Sequence, residues 1–134
     1  MPAPCPTLRR ALAQTLALAA VVHAGAACAA ITELSWDAHG RFEHRSTVPP
    51  DRFVELCGPI RHGQAVAWRF EAEAPLDFNI HYHEGRAVHY PERLAAVAAA
   101  QGRLQPALDQ DFCWMWTNKT GAPARLAVQL HRTP

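Results

Sequence analysis

From Arg41 onward, apolar and polar residues alternate in short runs that Gly and Pro interrupt. "RFEHRSTV" (41–48) reads as a strand closed by Pro49-Pro50, and "RFVELC" (52–57) as a second, stopped at Gly58-Pro59. In "AVAWRFEA" (65–72), Val66, Trp68 and Phe70 fall on one side and Ala67, Arg69 and Glu71 on the other. That period of two marks a half-buried strand. Pro75 is expected to break the chain. "LDFNIHYH" (76–83) alternates again and turns at Glu84-Gly85, and "RAVHY" (86–90) runs to Pro91. "DFCWMWTN" (111–118) is apolar on both faces, as a strand covered on two sides would be. "TGAP" makes a turn, and "RLAVQLH" (125–131) closes the domain with Leu126, Val128 and Leu130 facing one way. Short strands with such punctuation predict an all-β chain, an antiparallel β-sandwich over residues 41–134.

One segment resists that pattern. The alanines of "PERLAAVAAAQGRLQP" (91–106) favour a helix by intrinsic propensity, framed by Pro91 and Gly102. A strand over 94–98 is the other reading.

Ahead of the strands, Arg9-Arg10 precede an apolar run from Ala11 to Val22 and a small-residue zone ending Ala27-Cys28-Ala29. That order of parts is a secretory signal peptide, residues 1–29, with an A-x-A cleavage pattern. The run is shorter than the ~20 apolar residues of a spanning helix. Cys28 raises a rival, lipid attachment at a new N-terminus, although Gly25 stands where lipoprotein signals carry a Leu-like residue. Residues 30–40 are expected as a loose arm before the domain, with no transmembrane anchor once the leader is cut.

Cleavage also changes the charge. The formal charge of the chain is +1, and the loss of Arg9 and Arg10 takes it to −1. A near-neutral domain whose one lysine is Lys119 has no broad basic surface for nucleic acid. Cys5 and Cys28 leave with the leader, so Cys57 and Cys113 remain. Two cysteines in an exported domain of this size are expected to pair and to tie the two layers together. Neither belongs to a C-x-x-C.

The stretches "CGPIRHGQAVAWRFEAEAPLDFNIHYHEG" and "QGRLQPALDQDFCWMWTNKTGAPARLAVQL" resemble the GOLD domain, the lumenal β-sandwich of cargo receptors in the early secretory pathway. Cys57 matches the family's first cysteine, Asp77-Phe78-Asn79-Ile80 its middle strand, Gly102 its glycine, and "FCWMWTN" its second cysteine with Asn118. The resemblance spans most of Arg52 to Leu130. It implies a Cys57–Cys113 disulfide, a strand rather than a helix over 94–98, and a non-catalytic sandwich that binds other molecules. The receptors' coiled-coil stem, membrane helix and tail have no counterpart before Pro134, so vesicle traffic is not implied. The Ala/Arg-rich leader has a bacterial style, which makes the expected compartment a periplasm. In a eukaryote, Asn118-Lys119-Thr120 would read as a glycosylation sequon.

Candidate chemistry centres on "DFNIHYHEG" (77–85). In a strand, Asp77, Asn79, His81 and His83 share one face, with neighbours roughly 6–7 Å apart. His89 would come close if "RAVHY" pairs back on "NIHYH". Three imidazoles, His81, His83 and His89, would suit copper or zinc with one position open. A solvated, His-rich strand face is the plainer reading. Met115 beside Cys113 evokes a blue-copper site, but no His falls close by, and a bridged Cys113 could not be a ligand. Trp68, Trp114 and Trp116 read as core, and Trp36 as either a contact residue or a staple for the arm. Ser35 and Ser46 lack a nucleophile-elbow context, and Asp109 and Asp111 read as turn caps, so a hydrolytic enzyme finds no constellation. The sequence therefore points to an exported, non-enzymatic module that binds a protein or small ligand of the envelope. A copper- or zinc-binding protein is the alternative.

Overall fold

Seven strands run through residues 30–134, the part of the chain described by this computed structural model. They are β1 (Ala30–Glu33), β2 (Arg41–Val48), β3 (Arg52–Ile60), β4 (Ala65–Glu84), β5 (Ala87–Leu104), β6 (Gln110–Asn118) and β7 (Ala124–Thr133). The expected leader, residues 1–29 with Cys5 and Cys28, lies outside the described residues. Hydrogen bonds join the strands in the order β1-β3-β6-β4-β7-β2, and β5 pairs with β4. The β1–β3 pair is parallel and the other pairs are antiparallel, so the chain is all-β as its alternation predicted.

A single strand makes the two layers. The first part of β4 pairs with β7, from Ala65↔Thr133 to Ala72↔Leu126. Its later part pairs with β6, from Asp77↔Thr117 to His81↔Cys113. One sheet is thus folded along β4 and β5. Layer A comprises β2, β7, the first part of β4 and the later part of β5, and layer B comprises β1, β3, β6, the later part of β4 and the first part of β5. Strands that switch partners at a bend are a known way to turn such a corner. The layers close on an aromatic core: Phe70 lies 4.9 Å from Phe78 and 5.5 Å from Trp116 between ring centroids, and Trp68 lies 4.9 Å from Phe78.

Pro75 does not end the strand, contrary to the sequence expectation. It sits at the corner, where β4 has left β7 and not yet joined β6, and where the β5 register also jumps, from Glu71↔Ala99 to Leu76↔Val97. No ladder bond needs a donor there, so proline's missing N–H costs nothing. The flanking carboxylates fasten the bend. Glu73 accepts from Arg125 Nε on β7 at 2.7 Å. Asp77 accepts from the backbone N–H of Ala96, a positive-φ residue of β5, at 2.9 Å and pairs with Lys119.

Residues 94–98 are strand, within β5. Pairing along β4 outweighs the helix propensity of the alanines, a weak preference that tertiary context overrides. Gly102 has a packing reason: it pairs with Trp68, and a Cβ built on it would lie 2.8 Å from the indole Cε2. Gly102→Val must displace Trp68 from the core. Its expected cost is about 2–3 kcal/mol, on the scale of an overpacked core, read as a lowered urea midpoint.

β6 lies between β3 and β4, as its two apolar faces implied. The Cys57–Cys113 disulfide forms, but it does not join the layers. The two residues are directly opposed on β3 and β6, with Cα atoms 4.1 Å apart, so the bridge staples neighbouring strands inside layer B. Alternation explains this: Leu56, Trp114 and Trp116 point into the core, and Cys57 and Cys113 point outward. The segment 30–40, expected as loose, contributes β1 to layer B, and Leu34 donates its N–H to the Cys57 carbonyl at 2.8 Å.

Candidate functional site

The outward face of layer B is assembled by cross-strand register. One row runs Ile31, Glu55, Met115, Asn79, Arg93, and the next runs Glu33, Cys57, Cys113, His81. Directly paired residues share a face, so these side chains point outward together. Opposite His81, β5 carries two residues, Tyr90 and Pro91, and so one extra, because its register shifts between Ile80↔Glu92 and Tyr82↔His89. The extra length brings Tyr90 over the row, with its ring 5.9 Å from that of His81. The Arg93 guanidinium stacks 3.6 Å above Tyr90.

Beneath this cover lies a polar cluster. His81 Nε2 is 2.9 Å from Glu55 Oε1, and His81 Nδ1 is 2.8 Å from Asn79 Oδ1. Both His81 and Glu55 are buried. A carboxylate oxygen on one side and an amide oxygen on the other would suit a doubly protonated ring. Burial opposes that charge. It holds the imidazole below the ordinary value of 6.5, assisted by nearby His83 and resisted by the attraction and hydrogen bond of Glu55. A neutral His81 is the state burial selects, with the Asn79 amide turned to match.

His44, on β2, is also held below 6.5 by burial. For both residues the unfolded chain binds a proton more readily than the folded one. Their stabilising contribution is complete above about pH 7 and is lost as pH falls through about 6.5 toward the folded values. The carboxylates Asp37, Glu73 and Asp77 are shifted down from values near 4 and so act only in stronger acid. The melting temperature should therefore fall between pH 7.5 and 5.5, less so in His81→Gln. A rise over that interval would show His81 to be an imidazolium held by Glu55.

The histidines of the sequence reading separate. His81 and His83 come together, with ring centroids 5.3 Å apart. His89 does not join them. It pairs with Tyr82, stacks on that ring at 4.8 Å, and meets Glu84 at 3.0 Å on the opposite face. The residue that does reach His81 is Glu55. The signal in the sequence was its position two before Cys57, on the same face of the same strand.

Other candidates resolve into structure. Met115 is half-buried on the outer face of layer B rather than in the core. Trp36 is half-buried, edge-on to Phe42 at 6.4 Å with the Arg132 guanidinium 4.9 Å from its ring, which makes it a staple for the arm. Asp109 accepts the backbone N–H of His62 at 2.7 Å, the capping role expected of it. Asn118 is fully buried and saturated with hydrogen bonds, so the sequon reading fails on access alone.

The two outer faces differ in kind. The exposed large hydrophobics among the described residues are Ile31, Val88 and Tyr90, and all three fall on layer B. Layer A instead presents Glu43, Gln129, Arg69 and Gln101 in one cross-strand row, the shared lining of two open troughs of about 400 and 580 Å³. No helix among the described residues is long and apolar enough to cross a membrane.

The crystal structure of Aeromonas hydrophila PliG, a periplasmic lysozyme inhibitor of g-type lysozyme, superposes with a TM-score of 0.55 at 13% identity. The match covers 76% of this chain and 96% of that one. Salmonella Typhimurium PliG gives 0.54 at 9% identity, covering 79% of this chain and all of the other. The fold of this chain is similar to that of the two PliG structures. No protein-family model matches the chain, and no curated protein matches it in sequence. The GOLD resemblance rests on sequence motifs alone.

Proposed function

We propose that this chain is an exported, non-enzymatic module of the bacterial envelope whose ligand is a protein, and that a lysozyme is the partner class to test first. The observation that carries the proposal is the fold: nearly the whole length of two periplasmic inhibitors of g-type lysozyme superposes on this chain. The GOLD resemblance points the same way, toward a β-rich module that binds rather than catalyses. The outer face of layer B supports the reading further. It carries Val88 and Tyr90 on β5, the latter topped by Arg93, and Ile31 on β1 at the opposite edge of the sheet. Tyrosine and arginine are the residue types that dominate binding energy at protein interfaces.

Calorimetric titration of the purified domain with a g-type lysozyme is expected to show saturable 1:1 binding. Tyr90→Ala combined with Arg93→Ala should weaken it at least about tenfold, the effect of losing one central anchor. Full binding by that double variant would move the interface off layer B. No heat and no complex with g-, c- or i-type lysozymes would end the lysozyme reading.

The copper- or zinc-binding alternative, in its His81, His83, His89 form, gains no support from the geometry, because His89 faces away.

A further inference from the structure

We infer that layer B holds a metal site that the disulfide keeps closed. Reduction of Cys57–Cys113 would create a Zn²⁺ site built from the two thiolates, His81 and Glu55. A carboxylate oxygen of Glu55, a ring nitrogen of His81 and Cys113 Sγ already lie within 4.8 Å of one another, and all three residues are buried. Cys57 Sγ is bonded to Cys113 Sγ and so stands beside the same point. Two soft sulfurs, one imidazole and one carboxylate make a four-donor set suited to tetrahedral Zn²⁺.

The surroundings fit a ligand histidine. Metal-binding histidines characteristically donate their second ring N–H to a nearby oxygen, which fixes the tautomer. Asn79 Oδ1, 2.8 Å from His81 Nδ1, is placed to accept that hydrogen. Nε2 then presents its lone pair toward Glu55 and Cys113. In the oxidised protein the neutral ring takes the other tautomer, with Nε2–H donating to Glu55 at 2.9 Å and the Asn79 amide turned to match, and metal binding exchanges the two. Register fixes the geometry: Cys57↔Cys113 and Cys113↔His81 are directly paired across three adjacent strands.

A dithiol reductant breaks the S–S bond, delivers two electrons and two protons, and is itself oxidised to a disulfide. Zn²⁺ then displaces the two thiol protons to solvent as two S–Zn bonds form. Loss of the metal followed by oxidation restores the bridge.

The test uses a phosphine reductant, which becomes phosphine oxide and does not compete as a thiol. The reduced, folded domain, checked by near-UV circular dichroism, is titrated anaerobically with Co²⁺ and then Zn²⁺. One equivalent of Co²⁺ is expected to bind with an intense near-ultraviolet thiolate–cobalt band, absent from the oxidised protein and bleached by Zn²⁺. His81→Ala and Glu55→Gln should each weaken binding at least about tenfold while keeping the thiolate band, and Asn79→Ala about tenfold through the orientation of His81. Cys57→Ser separates the metal site from the reductant, since it leaves Cys113, His81 and Glu55 as a three-donor site with no disulfide to reduce. Absence of a thiolate band in both the reduced protein and Cys57→Ser overturns the inference. Equal affinity in the wild type and His81→Ala does so too, as does a reduced chain that unfolds and is not refolded by Zn²⁺.

Discussion

Replacing Asn118 with Ala is expected to destabilise the domain by about 3 kcal/mol and to lower its melting temperature by about 12 °C or more. The side chain is fully buried at the end of β6 and makes four hydrogen bonds. Its Nδ2 donates to the carbonyls of Val48 at 2.9 Å and Ala122 at 2.8 Å. Its Oδ1 accepts from Thr120 N at 2.8 Å and Thr120 Oγ1 at 2.7 Å. The backbone carbonyl of the same residue accepts from Asp51 N at 2.9 Å. One residue thus joins the β2–β3 turn, the end of β6 and the β6–β7 turn. Alanine would strand the buried Val48 carbonyl, and an unpaired buried group costs more than the bond contributes net. Asn118→Asp separates the parts, since it keeps both acceptor bonds and turns a carboxylate oxygen toward two carbonyls. It should be about as damaging as alanine. An Asp variant with wild-type stability, read by thermal melting at pH 7, would show that the amide donor does not matter.

The second large effect is the loss of the disulfide. The bridged residues are 56 apart in sequence, and closing a loop of that length removes about 4 kcal/mol of unfolded-state freedom on the chain-entropy estimate. Cys57→Ala/Cys113→Ala should lower stability by about 2–5 kcal/mol, visible as a lowered denaturant midpoint. Because the bridge lies within layer B, its removal should loosen β3 against β6 and leave the β2–β7 pair comparatively protected in hydrogen exchange. Uniform deprotection of both layers would contradict that placement.

Much of this architecture was legible in the alternation of residues, and the departures have physical causes. Val66, Trp68 and Phe70, then Leu76, Phe78 and Ile80, were readable as inward positions, and they are buried. That Pro75 joins these two runs was not readable. A proline looks like a strand end unless one knows that no partner waits for its N–H, which depends on the distant β6 and β7. The disulfide was legible as a pair, but its role was misplaced, because only the pairing of β3 with β6 shows both sulfurs on one outer face. His89 was misplaced through register. The turn lies at Gly85-Arg86, so Glu84 pairs with Ala87 and Tyr82 with His89. A three-residue turn over 84–86 would instead have put His89 opposite His81, since a slip of one residue exchanges the faces of a strand. Glu55 was overlooked because a carboxylate in "RFVELC" reads as solvent-facing. Its burial depends on His81 arriving two strands away, and on Tyr90 being carried over the row by a bulge.

The proposed role of this fold is capture of a protein rather than catalysis. Its sharpest test is a lytic assay, in which clearing of a cell-wall suspension by a g-type lysozyme is followed while the purified domain is added in increasing molar ratio. The expected result is a fall in lytic rate that saturates near one domain per enzyme and weakens in the Tyr90→Ala/Arg93→Ala variant. An unchanged rate at large molar excess, with g-, c- and i-type lysozymes alike, would contradict the account.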